Sequence, residues 1–192
     1  MVHRTGYLGT MKGSDRTPGH ARTSTFETLL AGGDRRSIAQ VLRVMEAVRL
    51  DPTRVAELVE LAYDADGLLA MRALDALEKL AHEQPAWVAP YKDVFIGPLA
   101  DSDRWEIRLQ IVRALPLFPW APPQRARAVQ ILRRDITHPR TFVKAWALDS
   151  LATFAQADRS LQPMVRRTLA AFERSGSKAL AARARKIRDR MA

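Results

Sequence analysis

From Ser24 to the C-terminus, apolar residues recur at the spacing that places them on one face of an α-helix. No stretch shows the strict alternation of apolar and polar residues that is typical of a half-buried strand. The pattern therefore predicts an all-α fold. The predicted helices form five pairs, at roughly 24–31 with 34–49, 52–63 with 66–82, 85–100 with 103–118, 121–136 with 139–156, and 160–174 with 177–191.

The second helix of each pair carries a repeated frame of nine residues. Positions 1, 2, 5, 8 and 9 of this frame are mostly apolar or small. The frame begins at residues 40, 69, 107, 143 and 180, so its last three spacings, 38, 36 and 37 residues, nearly agree. A period of this size is the signature of a stacked array of helical repeats.

The first helix of each later pair begins near a proline, which suits a first helical turn because the missing N–H would have no helical partner there. Asp51 and Ser160 are the predicted N-caps of two of these helices. The turns within the pairs are short and polar. These signals place the boundaries between units.

A short turn containing Asp, followed by an inner helix that opens with Val-Arg or a close equivalent, resembles HEAT-like repeats. The best matches are residues 103–108 and 139–144. Ala70 and Ala181 depart from the pattern, because they stand where the inner helix usually carries Arg or Lys. The resemblance covers residues 24–191 and implies a right-handed α-α superhelix. We expect a flexible tail at 1–22 and a single repeat domain at 23–192.

The inner helices are apolar around most of their circumference and keep only a narrow polar stripe, at frame positions 4, 7 and 11. In a right-handed stack the inner helices line the concave side, so the stripes would form a continuous ladder across the repeats. We predict that a partner binds along this ladder. Its predicted residues are Arg43, Arg72, Gln110, Arg113, Trp146, Asp149, Arg183 and Lys186.

The same stripe has a second interpretation. Residues three apart on one helix, such as Arg43 with Glu46, can pair with each other and stabilise the helix by about 0.2–0.5 kcal/mol. Arg113, Arg183 and Lys186 have no obvious acidic partner within the stripe, which leaves them available for binding. Both interpretations remain open from the sequence.

Trp146 is the unusual member of the ladder. A tryptophan on a polar stripe suits stacking on a partner, and equally suits the core between two repeats. Trp146 and Asp149 together also resemble part of the HEAT-like alkylpurine DNA glycosylases, which use concave tryptophans and a catalytic Asp. The wider motifs of that family are not matched in this chain.

The net charge of +10 is unevenly distributed, because residues 33–100 are slightly acidic and residues 101–192 carry a net charge of +11. On the outer helices, Arg127 with Arg134 and Arg167 with Arg174 share a face and could contact phosphates. Such residues are also common on a solvated convex face. Nucleic-acid binding through the basic C-terminal half is therefore an alternative function.

Several kinds of chemistry are excluded or unsupported. The chain has no Cys, which excludes disulfides, thiolate zinc sites and a cysteine nucleophile. Its four histidines are dispersed without companions at metal-ligand spacing, so we predict no metal and no other cofactor. No apolar run is long enough to span a bilayer or resembles a signal peptide, so we expect a cytoplasmic protein. The sequence favours a non-enzymatic scaffold that binds a protein or peptide partner.

Overall fold

The structure is a computed structural model that describes residues 25–32 and 40–191, and every regular element in those ranges is a helix. The α-helices are α1 (Thr25–Leu30), α2 (Val41–Leu50), α3 (Val55–Leu61), α4 (Gly67–Glu83), α5 (Pro85–Val88), α6 (Trp105–Ala114), α7 (Pro122–Asp135), α8 (Thr141–Ala157), α9 (Gln162–Arg174) and α10 (Lys178–Met191). Short 3-10 helices cover Pro52–Arg54, Ala89–Phe95, Pro98–Asp101, Leu115–Leu117 and Arg159–Leu161. The predicted tail at 1–22, the cap at Ser24 and the first part of the predicted helix 34–49 lie outside the described residues.

Four of the five predicted pairs are present as two α-helices in the described part of the chain, and the third pair has its inner helix. Helices α2, α4, α6, α8 and α10 each pack on the next to form an inner row. Helices α3, α7 and α9, together with the segment that begins at α5, precede the later members of that row and pack against them. The inner row positions the polar stripes side by side.

The core is a continuous hydrophobic cluster that extends from Phe26 to Ile187. It follows from the repeated frame, because frame positions 1, 5 and 8 are buried in α4, α6, α8 and α10. Helix α4 is buried around most of its surface, as its small and apolar residues allow. Full burial of one leucine, such as Leu74 or Leu77, contributes about 1.5–3 kcal/mol.

The outer helix predicted at 85–100 is wrong, because α5 ends after one turn and two 3-10 helices replace its continuation. Pro90 has no N–H to donate and its ring crowds the preceding turn. Pro98, preceded by Gly97, has the same effect eight residues later. Helix α6 is shortened for the same reason at Pro116, which lies in the 3-10 helix that ends the third unit.

One predicted N-cap is confirmed and the other is wrong. The Asp51 carboxylate accepts hydrogen bonds from the Thr53 amide, at 3.1 Å, and from its hydroxyl, at 2.6 Å. Near the start of α9, however, Asp158 rather than Ser160 is the cap, since Asp158 accepts from the Ser160 amide at 3.0 Å. The two caps share the pattern Asp-x-Thr/Ser, in which the hydroxyl residue is a donor to the capping carboxylate.

None of the helices in residues 25–32 and 40–191 combines the length and the apolar character that crossing a membrane requires.

Candidate binding groove

A cavity of about 340 Å³ opens on the inner row and is lined by residues of α4, α6, α8 and α10 and of the 3-10 helix that follows α6. We call it the inner groove. It brings together four of the predicted ladder residues, Arg113, Trp146, Asp149 and Arg183. The remaining residues that line it are His82, Pro116, Leu117, Ser150, Thr153 and Arg190.

Trp146 lies between two guanidinium groups that come from the neighbouring helices. Arg183 of α10 is 4.0 Å from the centroid of the indole, and Arg113 of α6 is 5.2 Å from it. The indole is half-buried and also packs on the hydrophobic cluster. Cation–π contacts of this kind contribute about 0.5–2 kcal/mol, depending on their exposure. Trp146 therefore stands at the edge of the core and orients two cations toward the groove.

Asp149 is the acidic centre of the groove. Its Oδ2 accepts a hydrogen bond of 2.6 Å from Arg183 Nη1, and its Oδ1 accepts from Arg190 Nη2. Arg190 Nη2 also lies 3.3 Å from the backbone oxygen of Asp149. The expectation that Arg183 has no acidic partner is wrong, because that partner belongs to the neighbouring helix of the inner row.

Arg113 also has an acidic partner, which the polar stripe did not contain. Its Nη2 lies 3.0 Å from Oε2 of Glu78, a fully buried carboxylate of α4, although the two atoms are not aligned as a hydrogen bond. The other oxygen of Glu78 lies 2.9 Å from His82 Nε2. Burial raises the pKa of the Glu78 carboxyl, and the Arg113 and His82 side chains offset this effect only in part.

Glu78 and His82 were not among the predicted site residues because they occupy frame positions 10 and 14, whereas the polar stripe consists of positions 4, 7 and 11. The available signal was the position of Glu78 among the apolar residues Ala76, Leu77 and Leu80 of an inner helix, since a buried charge requires a partner. Arg190 did belong to the stripe, at position 11, but was not among the predicted site residues.

Arg72 is buried and does not line the inner groove, in contrast to its predicted place on the exposed ladder. Its side chain is only 1% exposed. Its Nη1 donates hydrogen bonds of 2.7 Å to the oxygen of Leu30 and 2.5 Å to that of Gly32. Arg72 therefore holds the C-terminal end of α1 against the inner row. Arg43 is exposed and donates a hydrogen bond of 2.6 Å to Gln40 Oε1, and it does not line the inner groove.

The two other predicted ladder residues differ in their surroundings. Gln110 is buried and accepts a hydrogen bond of 3.2 Å from Arg113 Nη1, so it positions that guanidinium. Lys186 is exposed and forms no ion pair within the described residues. It lies on the same side of α10 as Arg183 and Arg190, because the three residues are separated by three and four positions.

The outer arginines fall into two groups. Arg127 Nη2 and Arg134 Nη1 both donate to Asp101, at 2.6 and 2.5 Å, so these two join the fourth unit to the third. Arg167 and Arg174 are exposed on α9 and form no ion pair with any residue that the structure describes. Only the second pair is available to an external anion.

Among residues 25–32 and 40–191, no three His, Asp or Glu side chains come together in a way that could hold a metal ion. This agrees with the positions of His82 and His138, whose neighbours in the structure are Glu78 and the amide of Arg140.

Comparison with known proteins gives a fold and leaves the function open. No family model and no curated protein matches the chain. Computationally designed armadillo repeat proteins for modular peptide recognition superpose with a TM-score of 0.60 at 15% identity, over 85% of this chain and 79% of that chain. The designed armadillo repeat protein YIII(Dq)4CqI superposes with a TM-score of 0.58, also at 15% identity, over 84% of this chain and 79% of that chain. The predicted all-α superhelix of stacked helical repeats is confirmed.

Proposed function

We propose that this chain is a non-enzymatic repeat scaffold, with one domain at 23–192, that binds an extended segment of a partner protein in the inner groove. The observation that carries the proposal is the convergence of four successive inner helices on one open cavity. A repeat array offers such a surface because each unit presents the same face to it.

The chemistry of the groove supports a peptide as the partner. Leu117 and Pro116 provide apolar contact, while Arg113, Arg183 and Arg190 provide several N–H donors. Apolar walls with a few oriented polar groups are typical of sites that hold a side chain and its backbone. The similar designed proteins were made for modular peptide recognition, which is consistent with this use of the fold.

Base excision finds little support in the groove. The Asp149 carboxylate already receives two guanidinium groups, and the Trp146 ring is flanked by two. A catalytic Asp and a stacking Trp would both need access to the nucleotide. The scaffold proposal uses these residues in the arrangement that the structure gives them.

The experiment is to select binders from a displayed library of random dodecapeptides and to measure the best one by fluorescence polarisation. The groove is then filled by Thr153→Trp on α8. The matched control is Thr168→Trp on α9, since both threonines are half-buried and donate to the carbonyl oxygen four residues earlier. We expect Thr153→Trp to weaken binding by about tenfold or more, a loss of about 1.4 kcal/mol, and Thr168→Trp to leave it unchanged.

Equal binding by the two variants would place the peptide elsewhere on the molecule. Failure of the library to yield any binder that competes for the groove would also refute the proposal. Circular dichroism melting of both variants confirms that each remains folded during the comparison.

A further inference from the structure

We propose that the segment bound in the inner groove is acidic, with carboxylate side chains that contact a cationic rim. Arg113, Arg183 and Arg190 of this rim line the groove. Lys79 and Lys186 extend it, because each lies three or four positions from a lining residue of the same helix, His82 on α4 and Arg183 and Arg190 on α10. The inference rests on the proposed function and names the chemistry of its partner.

Along the groove, each ion pair buries its acid and exposes its base. The Glu78 side chain is 0% exposed while that of its partner Arg113 is 24% exposed. The Asp149 side chain is 10% exposed and that of Arg190 is 44% exposed. On α4, the Asp75 side chain is 9% exposed and that of Lys79 is 31% exposed. In each of these pairs the acid is therefore covered and the base meets solvent.

The beginning of the inner row does not share this arrangement. Arg49 of α2 pairs with Glu83 of α4 at 2.7 Å, and both side chains are 41% exposed. A ligand that approaches this end of the inner row meets positive and negative charge equally. The cationic rim is thus a local property of the groove from α4 to α10, and does not follow merely from the net charge of the chain.

The groove remains cationic when its buried acids are counted. The rim has the five cations named above, whereas the carboxylates that pair with them are three: Asp149, which lines the groove, and Asp75 and Glu78 of α4. Lys186 forms no ion pair within the described residues and is fully available to a ligand.

The guanidinium groups have unused donors for a carboxylate. Each guanidinium carries five N–H groups in a planar fork that matches the two oxygens of a carboxylate. Arg183 uses one nitrogen, Nη1, to bind Asp149, and Arg190 uses Nη2. The indole of Trp146 restrains the guanidinium groups of Arg183 and Arg113 on either side. Because these planes are held in place before binding, less side-chain entropy is lost when an acidic residue arrives.

A nucleic acid fits these observations less well. Recognition of a single strand relies on bases that stack on aromatic rings, and Trp146, the aromatic residue that lines the groove, is already flanked by two cations. An acidic peptide requires only carboxylates at the rim and an aliphatic contact with Leu117. The observations therefore favour the peptide.

The test uses the full chain and three fluorescein-labelled decapeptides in which Ala alternates with Glu, Gln or Lys. Lys186→Gln with Arg190→Gln removes two rim charges. Its matched control, Arg167→Gln with Arg174→Gln, removes two exposed charges from α9, so both variants have the same net charge. We expect the Glu peptide to bind at least about tenfold more tightly than the Gln peptide, and this preference to disappear only in the rim variant.

Each outcome of this experiment has a defined meaning. Equal affinity for the Glu and Gln peptides, with both blocked by Thr153→Trp, would overturn the acidic partner and leave the proposed function standing. Absence of any binding that Thr153→Trp blocks would overturn both. Equal losses in the rim variant and its α9 control would show that binding follows net charge alone and would also overturn the inference.

Two further measurements complete the design. A labelled oligothymidylate is titrated in parallel, and tighter binding of this strand than of the Glu peptide, lost in the rim variant, would overturn the inference in favour of nucleic acid. If the rim variant melts at a lower temperature than its control, Lys186→Glu alone replaces it, since this exposed side chain forms no ion pair among the described residues.

Discussion

Replacement of the buried Arg72 by methionine tests whether this side chain fastens the first helix to the array. The guanidinium donates to the oxygens of Leu30 and Gly32, at the end of α1 and just beyond it. Helix α1 has six residues, too few for a stable isolated helix. We expect Arg72→Met to release α1 while the later helices stay folded, because methionine retains most of the buried stem and removes the donors.

The magnitude follows from the two hydrogen bonds and the buried charge. A hydrogen bond from a charged donor contributes about 1.5–3 kcal/mol, and two bonds that share one nitrogen contribute less than twice that amount. Methionine also removes the cost of burying a charge, which offsets part of the loss. We therefore expect the docking of α1 to weaken by about 1–3 kcal/mol, which corresponds to a rise in its opening equilibrium of roughly 5-fold to 150-fold.

Hydrogen exchange measured by mass spectrometry provides the assay, with separate peptides for residues 25–32 and for α8. The matched control is Arg43→Met, an exposed arginine at the same frame position of the preceding inner helix. Faster exchange in 25–32 alone, and only for Arg72→Met, is the expected result. Unchanged exchange there, or an equal increase in α8, would refute the assignment of Arg72 as the residue that fastens α1.

Two further predictions concern a cap and the groove. Hydrogen bonds from Ser160 and Arg125 lower the pKa of Asp158, so the stability that this carboxylate contributes is present at neutral pH and is lost as the pH falls through the lowered pKa. Asp158→Asn should therefore lower the melting temperature at neutral pH. A difference in melting temperature that persists in strong acid would contradict this reasoning. Trp146→Ala should lower the free energy of unfolding by about 2–4 kcal/mol in denaturant titrations, since a large half-buried ring and its cation contacts are lost. Trp146→Phe should lose less than half of that amount, and a double-mutant cycle with Arg183→Met that shows no coupling would contradict the contribution of the cation–π contact.

Much of the fold could be predicted from the sequence because each helix repeats the same apolar positions. Because the frame recurs five times, the sequence alone predicts five inner helices with equivalent apolar positions. The error at residues 85–100 came from giving periodicity more weight than Pro90 and Pro98, whose rings are incompatible with a continuous helix. The two prolines therefore set the conformation of this segment, and both can be read from the sequence.

The partners of the site residues could be predicted less well. The periodicity of one helix shows which residues share a face, but the distance between residues of neighbouring helices depends on how those helices are staggered. Arg113 meets Glu78 and Arg183 meets Asp149 through that stagger. Arg72 is buried for a similar reason, since the end of α1 covers the first part of the row. Packing between units therefore turned apparently free cations into paired ones.

Side-chain length explains how paired charges still produce a cationic groove. The carboxylate of Asp149 can reach only a short distance from its helix, whereas Arg183 and Arg190 extend along the neighbouring surface and keep their charged ends near water. In the two pairs that Asp149 forms with the next inner helix, the acid therefore lies below and the base above. The net charge of +10 is consequently a poor guide to this surface, because the sign that a ligand meets is set by which member of each pair is long enough to reach the solvent.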